Sequence, residues 1–256
     1  QAINYAVSIG DDLTIEENNT TTKTFIHNSD VTWSIAGGND SDLFEIIFLS
    51  IKVSLTSLLG SVIIGLPLGA FLAIRRFKMR SIVLSVLNAL MGMPPVVVGL
   101  IVYLYLSRSG PLGFLSLLYT PTAMIIAQML LVIPIIAALS AQIIEDLHSE
   151  YNDLFRSLNV STTKAVIAYI YDARISLLTI VLAGFGRAIS EVGAVSIVGG
   201  NIDNLTRVMT TAIALETSKG NLSIALALGI ILLAIALGVN LFAARAKYWV
   251  TERQDV

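Results

Sequence analysis

The feature that most constrains this chain is a series of five apolar runs, near Phe44–Ile74, Ile82–Leu106, Thr122–Ile144, Ile175–Val198 and Leu222–Ala244. A helix needs about 20 apolar residues to cross a hydrocarbon core about 30 Å thick. In that core every backbone N–H and C=O must be paired within the protein, so runs of this length read as membrane-spanning helices. The composition agrees. With 55% hydrophobic residues, 13% charged residues and a mean hydropathy of +0.80, 256 residues are too apolar for a soluble domain. A net charge of -2 without clustered Lys and Arg on one face argues against nucleic acid as a partner. Absence of cysteine removes disulfides, thiolate nucleophiles and Cys-type metal sites. His27 and His148 stand far apart without further ligand clustering, which gives no pattern for zinc or iron.

Loop charge predicts the sidedness. Arg75, Arg76, Lys78 and Arg80 follow the first span, and Arg245, Lys247 and Arg253 follow the fifth, so both of these ends are expected in the cytoplasm. Five crossings then put the N-terminus outside, the stretch between Ser149 and Arg174 inside and Gly199–Asn221 outside. Residues 1–42 form an acidic segment in which Asp11, Asp12, Glu16, Glu17, Asp30, Asp40 and Asp42 face Lys23 alone, which suits an external face. That segment lacks the basic and apolar regions of a signal peptide. Asn18, Asn19 and Asn39 each begin an N-x-[ST] triplet, a pattern that arises often by chance in Asn/Thr-rich sequence.

Within the spans, Gly65, Pro67, Gly69, Gly92, Pro94, Pro95 and Pro134 punctuate the apolar pattern. Small residues let membrane helices approach closely, whereas a proline removes a donor and frees a carbonyl. Packing is the stronger reading for most of them. Pro94-Pro95 is expected to break or bend the second span, with packing and gating equally open. Arg187 and Glu191 are four apart in the fourth span, so they share a face and can pair. One reading has Arg187 offering a favourable field to a passing anion, and the other a neutralised pair that fixes the helix or bridges to another subunit.

The polar stretch between Ser149 and Arg174 carries two short helical patterns. Leu147, Tyr151, Leu154, Phe155 and Leu158 recur at helical spacing, flanked by Glu150, Asp153 and Arg156. Such a face buries either against the chain's own helix ends or against a soluble partner, as in helix-in-groove recognition. No catalytic constellation is present. There is no G-x-x-x-x-G-K-[ST] loop and no H-E-x-x-H, and Gly184-Phe185-Gly186 is too short for a nucleotide cradle. An intramembrane protease needs paired carboxylates on two spans, yet only Glu191 and the marginal Glu45 are available. A self-sufficient secondary transporter predicts inverted repeats, into which five spans do not divide.

Three runs carry a resemblance: Gly186-Arg187-Ala188-Ile189-Ser190-Glu191-Val192-Gly193-Ala194, Val198-Gly199-Gly200-Asn201-Ile202 and Thr206-Arg207-Val208-Met209-Thr210-Thr211-Ala212-Ile213. They resemble permease subunits of molybdate and tungstate ABC importers. Met91-Gly92-Met93-Pro94-Pro95-Val96-Val97-Val98-Gly99-Leu100, Ser107-Arg108-Ser109-Gly110-Pro111-Leu112-Gly113, Pro121-Thr122-Ala123-Met124-Ile125-Ile126-Ala127-Gln128 and Leu215-Glu216-Thr217-Ser218-Lys219-Gly220 favour the tungstate branch, with molybdate or sulfate as the alternative. The resemblance covers about residues 44–244. It implies an all-α membrane protein with five transmembrane helices, the type I ABC importer permease fold and a homodimer. It also implies a transmembrane domain over 43–245 and a cytoplasmic tail over 246–256.

The implied partners are two ABC ATPase subunits, an external oxyanion-binding protein and the bilayer. ATP and magnesium belong to the ATPase, and this chain binds no cofactor and holds no catalytic residue. The resemblance also implies a cytoplasmic coupling loop over 146–174. Its motif of an acidic residue, two small residues, a glycine and a Leu-Pro pair falls on Asp153, Leu154, Phe155, Asn159 and Tyr171-Asp172. Asn tolerates the left-handed turn that the motif's glycine makes, and Ser161 is placed to cap a helix beginning near Thr162. Leu154 and Phe155 exceed the motif's small pair, which asks for a roomier ATPase groove. Asp153, Leu154, Phe155, Arg156, Leu158, Asn159 and Ser161 are therefore the coupling candidates. Met93, Pro94, Pro95, Arg187, Ser190, Glu191, Thr206, Arg207 and Thr210 are the pathway and gate candidates, with Arg207 and Lys219 adding positive field outside.

Overall fold

The structure, a computed structural model, describes residues 40–252 other than Arg76. The acidic segment before Asp40, its Asn18, Asn19 and Asn39 triplets, Arg76 and Arg253 lie outside the described residues. Those that are described are built from helices alone: α1 Asp40–Ile74, α2 Arg80–Met91, α3 Pro95–Leu106, α4 Pro121–Ser157, α5 Thr162–Asp172, α6 Arg174–Ile189, α7 Gly193–Gly199, α8 Met209–Ser218 and α9 Leu222–Glu252, with a single 3-10 turn at Gly113–Leu115. Three of these, α1, α4 and α9, are long and apolar enough to cross a membrane, and the count reaches five if each of two bent pairs is one crossing. α9 continues helical through Glu252, past the tail expected from residue 246.

The frame is the pair α1 and α4, which pack on each other more extensively than any other two elements. Their registers rise together, Gly60 lying on Met129, Gly65 on Ile136 and Gly69 on Ala137 and Ser140, so the two helices run the same way. Both stay helical through an internal proline, Pro67 in α1 and Pro134 in α4. Packing is thus the role of Gly65 and Gly69: a Cβ on Gly65 would stand 2.9 Å from Ile136 Cγ2, and one on Gly69 2.7 Å from the Ala137 carbonyl. α6 runs the opposite way beside them, since Gly184 faces Val132 and Ile136 while Ala188 meets Gln128. The start of α9 packs on α8, and Met209, Ala212 and Leu228 there form a cluster that takes in Leu43, Ile46 and Ile47 of α1. At the other end of the frame, Ala70, Ala73 and Ile74 share a cluster with Ile144, Tyr151, Phe155 and Tyr169. The basic run after α1 and the polar stretch after α4 therefore lie at one end, where Arg80 pairs with Glu145.

Two expected spans are not single straight helices. The Ile82–Leu106 run is broken at Gly92–Pro94, and α2 and α3 meet at 103°. Pro95 sits in the first turn of α3, where its missing N–H costs nothing, and Pro94 is extended. The Ile175–Val198 run ends as a helix at Ile189 and restarts at Gly193. Val96 of α3 packs on the restart, so closely that a Cβ on Gly193 would stand 2.9 Å from Val96 Cγ2. The first helical pattern of the polar stretch is the last part of α4, and α5 bends into α6 at 71°.

Because α1 and α4 touch backbone to backbone, Gly69→Ala is expected to lower thermal stability in detergent by about 1–3 kcal/mol, as overpacked cores do. Gly186→Ala, where an added Cβ meets nothing within 4 Å, is expected to leave the midpoint unchanged.

Candidate functional site

Glu191 sits at the break between α6 and α7, beyond the end of the helix on which the four-residue spacing placed it. Its carboxylate accepts a hydrogen bond from the Ala194 N–H at 3.1 Å, satisfying a donor in the first turn of α7. The pairing with Arg187 survives the break, with Nη2 to Oε2 at 3.5 Å. The two ends differ in access: the Glu191 side chain is 3% exposed and that of Arg187 32%. Thr210, at the start of α8, donates to the Glu191 carbonyl at 2.9 Å. α6, α7 and α8 are thus tied together at one residue.

Behind Glu191 lies a polar cavity of about 10 Å³, roughly the size of one water, lined by Ser50, Val53, Ser54, Gln128, Ile189, Glu191, Val208 and Thr210. Ser50 accepts from the Met209 N–H at 2.7 Å and donates to the Ile46 carbonyl at 2.7 Å. Ser57 donates to Gln128 Oε1 at 2.8 Å, and Gln128 Nε2 donates to the Ala188 carbonyl at 3.0 Å. This network escaped the sequence reading. Its signal was there in Ser50, Ser54, Ser57 and Ser61, which are all buried and recur every three or four residues on α1, and in the amide of Gln128 within an apolar run.

The other pathway and gate candidates divide. Met93 packs partly buried against the core that α3, α4 and α7 share, while Pro94 and Pro95 form the α2/α3 break. Ser190 is exposed and donates to the Gly186 carbonyl at 2.7 Å. Thr206 is fully buried: its hydroxyl donates to the Gly199 carbonyl at 2.6 Å and accepts from the Ile202 N–H at 2.9 Å, so it closes the turn after α7. Arg207 pairs with Asp203 at 2.7 Å, and Lys219 with Glu216 at 2.8 Å, so each cation offered as a source of positive field has an acidic neighbour. Glu216 is held below the usual carboxylate range by the hydrogen bond from Lys219 and then by one from Asn221.

At the opposite end, α4, a four-residue turn and α5 make a helical hairpin. Asn159 takes the left-handed conformation with φ of 52°, as the turn requires. Ser161 occupies the N-cap position of α5, yet its side chain makes no capping hydrogen bond. The apolar face read along Leu147, Tyr151, Leu154, Phe155 and Leu158 splits in two. Phe155 turns inward, its ring 5.4 Å from that of Tyr169 and 6.1 Å from that of Tyr151, and Leu147 joins the same cluster. His148 Nδ1 lies 3.0 Å from the Tyr169 hydroxyl. A size argument for a roomier partner groove therefore does not extend to Phe155. Leu154 and Leu158, 54% and 64% exposed, stay outside with Ile167 and Tyr171, and Asp153 and Arg156 flank them. Arg174 stacks 4.3 Å above the Tyr171 ring.

Residues 65–250 match the model of a family described as "Binding-protein-dependent transport system inner membrane component". The chain is 45% identical over 201 residues to the tungstate uptake system permease protein TupB of Peptoclostridium acidaminophilum, covering 78% of this chain and 88% of that one. It is 43% identical over 210 residues to a probable anion ABC transporter permease protein of Haloferax volcanii, covering 80% and 90%. A tungstate uptake system permease protein of Campylobacter jejuni is 39% identical over 171 residues, covering 67% and 72%. Sulfate transport system permease proteins stand further off, at 24% to 27% identity.

Glu191→Ala removes both the acceptor for the Ala194 N–H and the partner of Arg187, so a stability loss of about 1–3 kcal/mol is expected in thermal unfolding. Glu191→Gln, which can still accept that hydrogen bond, is expected to recover part of it. At the hairpin turn Asn159→Gly should be neutral and Asn159→Val should cost about 1–2 kcal/mol, read in the same assay.

Proposed function

This chain belongs to the binding-protein-dependent transport system inner membrane component family, and from that premise we propose that it is the permease subunit of an ATP-driven tungstate importer. The substrate rests on similarity over most of the chain to proteins named for tungstate uptake, against the more distant sulfate permeases. The observation that carries the coupling role is the hairpin of α4 and α5. It uses Tyr151, Phe155 and Tyr169 to hold its own shape and leaves Leu154 and Leu158 uncovered between Asp153 and Arg156. A pair of exposed leucines one helical turn apart is the geometry of a knob for a groove on a soluble partner.

In this reading two copies of the chain surround the anion path, each making five crossings, the second by the bent α2–α3 pair and the fourth by α6 and α7. The basic end of the frame faces the cytoplasm and the start of α1 faces outward, following the Arg75, Lys78 and Arg80 run. Two ATPase subunits seat the hairpins. ATP binding brings the subunits together, and the hairpins convey that movement to α6 and to the break at Glu191. An external binding protein delivers the oxyanion and selects among tetrahedral dianions, meeting the permease on the segment between α7 and α9.

Uptake of tungstate and ATPase turnover in liposomes holding the chain, its ATPase and its binding protein test this directly. Tungstate uptake that needs both partners is expected, with molybdate and sulfate carried more slowly; transport by this chain alone would overturn the reading. Leu154→Asp with Leu158→Asp is expected to abolish ATPase association while leaving the thermal midpoint of the isolated permease unchanged. Phe155→Asp, by contrast, buries a charge beside Tyr169 and is expected to lower that midpoint as well.

A further inference from the structure

The cavity behind Glu191 is lined by polar side chains whose hydrogen bonds can be counted one by one. Ser50 donates to the Ile46 carbonyl and accepts from the Met209 N–H, so its proton is committed and one lone pair remains. Thr210 gives its proton to the Glu191 carbonyl and keeps its lone pairs. Gln128 accepts from Ser57 and donates to the Ala188 carbonyl, which leaves the amide one proton and one lone pair. Ser54 differs from all of these. It is 3% exposed and lines the cavity, yet its hydroxyl makes no hydrogen bond among the described residues. The Glu191 carboxylate is short of donors as well. The Ala194 N–H serves Oε1, while Arg187 stands 3.5 Å from Oε2, at the outer edge of hydrogen bonding.

What stays uncommitted is a mixed set. The Ser54 hydroxyl and one Gln128 amide proton can donate, and the Glu191 carboxylate, Ser50 and Thr210 can accept. An oxyanion would find few donors here and a carboxylate set against it. A cation would find the Gln128 proton and a carboxylate already shared with Arg187. Water both donates and accepts, and about 10 Å³ is room for one such molecule. A buried hydroxyl and a buried carboxylate oxygen are costly to leave unpaired, and one water supplies a partner to each. We propose that the cavity is the site of a single structural water, which accepts from Ser54, donates to Glu191 and so joins α1 to the break between α6 and α7. A bridge through water can exchange acceptors among Glu191, Ser50 and Thr210 as the break moves, which a direct side-chain bond cannot. The site is a property of the permease itself and holds for any cargo.

A density map of the full-length permease, at a resolution that shows ordered water elsewhere in its interior, tests the site. A peak is expected within about 3.2 Å of both Ser54 Oγ and a Glu191 carboxylate oxygen. Ser54→Val, whose second methyl takes its place, is expected to remove the peak, and Ser54→Ala to weaken it. No peak in the unaltered protein would overturn the site, and one that persists in Ser54→Val would overturn the part given to Ser54. The bridge is tested by thermal unfolding in detergent. Ser54→Ala is expected to lower the midpoint by a few degrees, and to change it little once Glu191→Ala has removed the acceptor. Equal losses in both backgrounds would overturn the bridge. A sodium ion would give a similar peak, so midpoints are also compared in sodium chloride and choline chloride at equal ionic strength. Equal values are expected. A sodium-specific rise that Ser54→Ala removes would assign the cavity to a cation and overturn the water.

Discussion

The close approach of α1 and α4 is the contact on which the rest of the structure depends. Inside a bilayer the hydrophobic effect gives little reason for two apolar helices to associate, so van der Waals contact and buried hydrogen bonds must do it. Glycines at 60, 65 and 69 let α4 lie against the α1 backbone over much of its length, and the serine row on α1 then reaches partners that a wider gap would deny it. α6 lies along this pair, α2 packs on α4, and α9 packs on α8 and α6. The two remaining long runs could bend because the unbroken pair already supplies a scaffold.

Each bend leaves backbone groups that hydrocarbon does not satisfy, and the polar residues of the core are placed at those points. Gln128 takes a carbonyl at the end of α6, Glu191 takes an N–H at the start of α7, Ser50 takes one at the start of α8, and Thr210 returns a hydroxyl to the Glu191 carbonyl. The cost of burying these groups is offset only when all of them are in register. The ends of three helices are thereby fixed to a common point.

Much of this was legible in the sequence, and the parts that were not have a common cause. The apolar runs located α1, α4 and α9 to within a few residues at their starts, since length and hydropathy alone decide a straight span. Asn159 was legible for a local reason, because few residues tolerate a positive φ. The end of α6 at Ile189 was not, since nothing in Ser190-Glu191-Val192 itself stops a helix. Nor was the division between Phe155 and Leu154, which are adjacent and similarly apolar. Only the return of α5 across the end of α4 sends one inward to Tyr169 and leaves the other uncovered. Hydrophobic spacing predicts that a face is buried, and tertiary folding decides by what.

One further consequence follows from the way α5 meets α6. Ala173 is at once the last cap of α5 and the first of α6, its N–H bonded to the Tyr169 carbonyl and its carbonyl to the Leu177 N–H, each at 2.8 Å. Arg174 clamps the corner by donating to the Tyr171 carbonyl at 2.7 Å while lying over that ring. With Ala173 alone between the arms, the elbow has the form of a bell crank, and in the importer proposed above a push on the short arm is expected to turn the long one. α6 is about 24 Å long at 1.5 Å per residue, so a rotation of about 5° at the corner sweeps its far tip through about 2 Å. That tip carries Arg187 and abuts Glu191, and a travel of this size is comparable to the length of a hydrogen bond, enough to exchange one set of partners for another.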